Sequence, residues 1–541
     1  MDAWRGVGVV ALLTLVAGCS SGGSSSGSNV VPVPPPPPFS AVQQIRVSQP
    51  STFAPGCDGV AVENGTLYTN TAVEPSMVAN PFNPMNLIAA WQQDRWSNGG
   101  SQGLMLAASF NGGGSWTLTT APFSRCTGGN GANLGDYTRA TDPWLTVSPN
   151  GYAYALSLSF TGTSLASGSS SAMLVARSAD FGVTWQLPHA LIQDQAQVFN
   201  DKGSITADPI NSSYVYAVWD RLTTQSSGPT YFAFTSDGGS TWQPARSIYD
   251  PGPSAQTIGN QIVVLPGDLL LNVFTEIDTA ADGTTSSSVR VVRATNTGNN
   301  LFSWSAPITI AELQALGTSN PANNAPVRDG SDIVSVSAGD GSVYVAWQDS
   351  RFSMGKYDGI ALARSTDGGQ TWSTPVQVNA DTNVQAFTPT VNVRADGVIA
   401  VSYFDLRNNT THSNTTLYAD CWMVTSTDGG ASFTEEHLSG SFNLYNAPDS
   451  EGLFLGDYQA LVSDGSGSAF LPFYAQPPPA VSAGTAVSTD AFISFPPVVA
   501  AAAALPFAAR SPASGAEITR EAHRRVMART RLVQSQRLRG K

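Results

Sequence analysis

The chain has 541 residues with 51 Gly, 35 Pro and only 12% charged residues, a composition that suits many short strands and turns around an ample core. Its net charge is −13, but residues 510–541 carry +7 and residues 1–19 cancel, which leaves −20 on the body between them. A body that acidic excludes nucleic acid as a general partner, and the four histidines (His189, His412, His437, His523) are not spaced as metal ligands, so no zinc site is expected.

Residues 1–19 (MDAWRGVGVVALLTLVAGC) place one Arg before a short apolar run that ends in small residues, an export signal rather than a membrane span. The stretch Val16–Cys19 resembles the lipobox of bacterial lipoproteins, which implies acylation of Cys19, and Ser20 after it implies the outer membrane. Residues 20–40, first Ser/Gly-rich and then Pro-rich, read as a tether. A formal serine-hydrolase elbow at Gly23–Gly27 has no strand before it and no helix after it, and carries no weight.

Residues 41–498 are organised by one recurring string, Ser/Thr-x-Asp/Asn-x-Gly-x-Ser/Thr-Trp/Phe. It begins at Ser109, Ser178, Thr235, Ser365 and Ser426, with a degraded copy at Ala294–Trp304, and its acidic or amide positions are Asn111, Asp180, Asp237, Asp367 and Asp428. Gly supplies positive φ, the Asp side chain bonds backbone N–H groups, and the aromatic ring packs below, so each copy predicts a tight hairpin turn. Upstream of each turn lie two more strands, the inner ones starting near Ser76, Pro143, Ser204, Asn260, Asp332, Pro389 and Asp457. The last unit lacks its outer strand, and Gln43–Pro50 (QQIRVSQP) looks like the missing piece. The pattern predicts an all-β, seven-bladed β-propeller of four-stranded antiparallel blades, closed by the N-terminal strand, with a six-bladed ring as the alternative.

The turn string is similar to the Asp-box, or BNR repeat, of the sialidase superfamily, over most of residues 70–440. That resemblance implies a propeller. It also implies three arginines on a substrate carboxylate, a Tyr nucleophile assisted by Glu, and an Asp acid/base. The first of those arginines belongs to a Phe-Arg-Ile-Pro motif; the matching stretch Ala72–Val78 keeps Pro75 and Ser76 but has Val73 in the arginine's place.

Arginines at second-strand ends (Arg95, Arg221, Arg351, Arg407) are candidates to ring an anionic ligand, or to tie down their own blades through Asp94, Asp220, Asp349 and Asp405. Catalytic candidates are the groups that break the repeat at inner-strand entrances: Glu74, Asp142, Asp457 and Tyr458, with Asp201, Lys202 and Asp332 beside them. The same carboxylates have the chemistry to coordinate Ca²⁺; no other cofactor is implied. Tyr137 and Arg139, in the long loop 128–144, are expected over the same mouth. Cys57 and Cys126 fall on equivalent loops one repeat apart and are expected to pair, while Cys421 sits in a strand and is expected to be buried.

Residues 499–541 form an Ala-rich linker and a basic tail. A capping-box pattern at Ser514–Glu517 precedes a stretch that places Ile518, Ala522, Val526 and Val533 on one side of a helix, suited to anionic lipid or left as a solvated appendage. Together these features predict a monomeric, surface-anchored lipoprotein that binds, and in one reading hydrolyses, extracellular glycan. A non-catalytic scaffold for an envelope protein is the alternative.

Overall fold

The computed structural model describes residues 42–60, 65–223, 227–298, 300–410, 413–464, 467–478 and 487–498. Residues 1–40, on which the expected export signal, Cys19 and tether fall, His412, His523 and the basic tail lie outside the described residues.

Each repeat folds as an antiparallel meander, because its alternating apolar residues leave two faces to bury and its turn strings are too short for anything but hairpins. The first set is Leu67–Asn80, Asn83–Trp96, Ser101–Ser109 and Thr117–Thr119. The second is Arg139–Val147, Ala153–Thr161, Ser170–Ser178 and His189–Gln195, and a lone Ser101–Ala140 pairing links the two sets. Inner strands then recur at Val198–Ala207, Ala255–Leu265, Ser335–Gly339, Ala386–Val393 and Ala460–Ser463, each opening its own antiparallel sheet. Every inner strand packs against the next, and Ala460–Ser463 packs against Leu67–Asn80, so the sheets close into a ring around an axial channel.

Closure is made by Gln43–Arg46, which pairs antiparallel with Asp490–Phe495 in the register Gln43↔Phe495 to Arg46↔Phe492 and gives the last sheet its outer strand. The core lies between neighbouring sheets. At that seam Trp91, Leu87, Phe473 and Ile493 are buried together. Second-strand aromatics at matching positions fill the same layer elsewhere, and the buried indoles of Trp91, Trp219 and Trp347 donate to Gln93, Asn200 and Asp349 at 2.9, 2.8 and 2.7 Å, so none leaves a polar atom unsatisfied.

The Asp-box turns share one geometry. In the fourth copy, Asp367 accepts from the backbone N–H groups of Gln370 and Thr371 at 3.0 and 2.9 Å and from the Thr371 hydroxyl at 2.5 Å. Gly369 sits at φ +79°, where a side chain would be strained, and donates to the Ser365 hydroxyl at 2.9 Å. These bonds, led by the Thr371 hydroxyl, hold the Asp367 carboxyl down to about 2. Because the folded value lies below that of the unfolded chain, the contribution is complete above about pH 4 and lost as pH falls toward 2. We expect Asp367→Ala to cost about 1 kcal/mol at pH 7 and almost nothing at pH 2, measured by urea denaturation at both pH values.

Candidate functional site

The inner strands do not run smoothly to the end of the ring opposite the Asp-boxes. Their pairing with the second strand breaks between Val73 and Ser76, Thr141 and Trp144, and Asp201 and Ser204. At each break one residue enters the left-handed region: Glu74 at φ +50°, Asp142 at +51° and Lys202 at +44°. Gly259 (+68°) and Thr388 (+50°) mark matching breaks further round. The residue that follows is Pro or Gly in four of these, Pro75, Pro143, Gly203 and Pro389, which suits a bulge and not a continuing ladder. Such a conformation costs a non-glycine residue of order 1 kcal/mol and persists only where the surroundings hold it. Here the bulges turn three charged side chains toward one point.

That point is the Lys202 ammonium. Its Nζ donates to Glu74 Oε1 at 3.1 Å, Asp142 Oδ1 at 3.2 Å and Asp457 Oδ2 at 2.6 Å, and all four groups are buried. Asp457 is also gripped by Arg328, at 3.0 Å from Nε to Oδ1 and 2.7 Å from Nη2 to Oδ2. Glu74 further accepts from the Gln92 amide and from the Asp457 backbone N–H. The Tyr458 hydroxyl donates to the Pro143 carbonyl at 3.2 Å, and its ring packs at 5.3 Å from that of Trp144.

A lid closes the arrangement. Val327–Arg328 and Leu453–Phe454, from two long loops, pair in parallel, and the Phe454 ring receives both the Arg95 guanidinium at 4.5 Å and that of Arg328 at 4.6 Å. Along the channel toward the Asp-boxes lies a cavity of about 140 Å³, lined in part by Ser76, Gln261, Ser335, Thr390, Tyr458 and Gln459.

The electrostatics follow from burial and pairing. Burial pushes the Glu74 carboxyl up to about 8, with Asp142 and Asp457 adding to the rise and Lys202 opposing it. Burial would raise Asp142 too, but Lys202 and the hydrogen bond with Glu74 hold it below its usual range. Against the same burial, Arg328 and Lys202 pull Asp457 well down. Glu74 therefore keeps its proton at neutral pH and Asp142 does not. The folded state holds a proton on Glu74 between about pH 4.5 and 8 that the unfolded chain has released, so stability falls as pH rises through that window. We expect Glu74→Gln to flatten this part of the pH–stability curve and to gain about 3 kcal/mol at pH 8.5, read from urea denaturation.

Of the residues singled out in the sequence, Glu74, Asp142, Asp457, Tyr458 and Lys202 come together. Asp201 turns back to accept from the Lys202 backbone N–H at 3.0 Å, and Asp332 is half-buried ahead of Ser335–Gly339. Each of the four second-strand arginines is bonded within the protein. Arg351 and Arg407 bond Asp349 and Asp405 in their own sheets, Arg407 also binding Glu435 at 2.6 Å. Arg221 takes Asp194 of the preceding sheet, not Asp220, with bonds of 2.9 and 2.6 Å. Arg95 is buried on Gln92 and Ser450, while Asp94 serves Ser51, Asn70 and Gln93.

Arg139 and Tyr137 are both buried. Arg139 bonds Asn98 and the Gly99 carbonyl at 2.9 and 2.6 Å over the Trp96 ring, and Tyr137 is buried between the first two sheets. Cys57 and Cys126 form a disulfide, and Cys421 is a buried free thiol. Among the described residues no group of His, Cys, Asp and Glu is arranged to hold a metal ion; where three carboxylates do meet, an ammonium stands between them. Arg328 and Phe454 escaped the sequence reading. The only signal is that both lie in long interruptions of the repeat, at 313–334 and 444–459.

Residues 217–463 match the family described as BNR repeat-like domain. No curated protein matches the chain. Among solved structures, it is similar to a protein of unknown function from Dyadobacter fermentans DSM 18053, at 15% identity and TM-score 0.43 over 85% of this chain and 99% of that one. It is also similar to a Hadza microbial sialidase, Hz136 (13%, TM-score 0.41, 77% and 74%), and to an α-L-arabinanase of Penicillium chrysogenum (12%, TM-score 0.41, 80% and 97%). With its Asp-box turns and its ring of antiparallel sheets, the chain has an all-β propeller fold, of which residues 217–463 match the BNR repeat-like domain.

Proposed function

We propose that this chain is an exported, surface-anchored propeller of seven blades that binds extracellular glycan and does not hydrolyse it by the sialidase route. The observation that carries the second half is the Lys202 ammonium among Glu74, Asp142 and Asp457. A hydrolase of the superfamily needs its carboxylates free for a sugar and its arginines free for a substrate acid. Here each carboxylate already has a partner, Val73 stands where the first arginine belongs, and Phe454 lies across Arg95 and Arg328.

The Asp-box turns and the match of residues 217–463 to the BNR repeat-like domain support a carbohydrate as the ligand. Successive inner strands from Leu67–Asn80 to Ala460–Ser463 support the blade count, and the lipobox-like Val16–Cys19 supports anchoring. No helix among the described residues is long and apolar enough to cross a membrane. The test is turnover of a fluorogenic sialoside and of a polysaccharide panel, beside retention of the protein on the same polysaccharides immobilised. The expected result is retention without turnover. Turnover that Asp142→Asn or Asp457→Asn abolishes would overturn the non-hydrolytic reading. Neither turnover nor retention would transfer the case to a scaffold that holds a protein partner in the cell envelope, a reading the same neutralised cluster favours.

A further inference from the structure

A cavity of about 640 Å³ lies at the seam where the ring is closed, walled by residues within 46–50, 67–72 and 487–490. The axial cavity, at about 140 Å³, falls below the roughly 300–1,000 Å³ of a small-molecule site, whereas the seam cavity falls within that range. Its cause is local. Pairing of the first inner strand with the second breaks between Tyr68 and Ala72, where Asn70 takes φ +59°, a left-handed conformation that Asn tolerates better than most side chains. At this end, opposite the Asp-boxes, the strand leaves its own sheet and meets the last one. Thr71 bridges Thr489, and the Ala72 N–H donates to the Thr489 carbonyl at 2.9 Å.

The wall combines an aromatic ring with unspent polar groups. Tyr68 is half-buried there. Arg46 and Asp490 stand 3.4 Å apart, with 42% and 16% of their side chains exposed. Asp490 Oδ1 also accepts from the Ser48 hydroxyl at 2.8 Å, which leaves Oδ2 as an acceptor. Asn70 Oδ1 accepts from the Ser51 N–H at 2.9 Å, which leaves Nδ2 as a donor. Thr489 on the same wall is 1% exposed, and its Oγ1 has no hydrogen-bond partner among the described residues, a rare condition for a buried hydroxyl. Burial, and after it the nearby Asp449 charge, raise the Tyr68 hydroxyl. With Arg46 already matched by Asp490, and Asp449 adding negative charge near Tyr68, the wall disfavours an acid. We infer that the seam cavity takes an uncharged hexose or pentose unit of a polysaccharide, its apolar face on Tyr68 and its hydroxyls on Arg46, Asn70 and Asp490; this rests on the glycan-binding reading above and gives it a place and a class of sugar. Arg46 belongs to the closing strand, Tyr68 to the first inner strand and Asp490 to the last strand, so the site exists only in a closed ring.

Affinity electrophoresis of the full chain tests this, through gels of neutral galactan, arabinan and glucan and of acidic polygalacturonate and polysialic acid. The expected result is retardation by at least one neutral polymer, weakened about tenfold or more by Tyr68→Ala and by Thr69→Trp, and kept within about threefold by Tyr68→Trp. Thr69 is an exposed residue of the wall, so Thr69→Trp fills the cavity without emptying the core, and an unchanged urea midpoint verifies that the variant is folded. Retardation that survives Thr69→Trp overturns the inference and leaves the glycan reading standing, as does retardation by the acidic polymers alone. No retardation by any of the polymers overturns both.

Discussion

Lys202→Met should destabilise the protein by about 3–5 kcal/mol at pH 8, the largest effect expected of any single substitution at the ring axis. The ammonium is the common partner of Glu74, Asp142 and Asp457, and an apolar replacement of similar reach would leave the buried Asp142 carboxylate without its cation beside a protonated Glu74. Arg328 still neutralises Asp457, so the loss concentrates on Asp142. It can escape by taking up a proton. The deficit relative to the unaltered chain is therefore expected to shrink as pH falls below 5, which urea midpoints at pH 5 and pH 8 would measure. A loss under about 1 kcal/mol at both values would mean that the ammonium is not what holds the carboxylates.

Removing the disulfide is the second large change. Cys57 and Cys126 are 69 residues apart in the sequence, and the loop they close restrains the unfolded chain by about 4 kcal/mol in the chain-entropy account. Its placement matters as much as its loop length. Cys57 follows the strand that completes the last sheet, and Cys126 lies in the loop between the first and second sheets. The bond thus anchors the closing strand from beyond its own sheet. Cys57→Ser/Cys126→Ser should lower the midpoint of chemical unfolding accordingly, and reductant should do the same to the unaltered chain while leaving the variant unchanged. Proteolysis of the variant should begin near Gln43–Arg46, where the ring is held by one short strand.

Much of the scaffold was legible because it repeats. Asp-Gly turns, alternating strands and the stray outer strand at Gln43 each signal a local rule, and their recurrence places them in one ring. The candidate site was legible only in part. Glu74, Asp142, Lys202 and Asp457 could be found as departures from the repeat, but that a lysine stands at their centre depends on bulge conformations near φ +50°, which a sequence signals only through the Pro or Gly that comes next. Arg328 and Phe454 were out of reach for a different reason. They meet through a two-residue parallel pairing of distant loops, for which no periodicity exists. Arg351 and Arg407 tie down their own sheets through Asp349 and Asp405, as one of the two readings had it, whereas Arg221 departs because a guanidinium can bond across to a neighbouring sheet, here to Asp194, as readily as to the aspartate beside it.

The Gln43–Arg46 pairing with Asp490–Phe495 sets an order of events. The strand that is synthesised first among those described cannot find its place until the one synthesised last has been delivered, so the circle stays open through all of translation. Whatever guards the Asp490–Phe495 edge during that interval decides whether a molecule completes its own circle or borrows the opening strand of a neighbour.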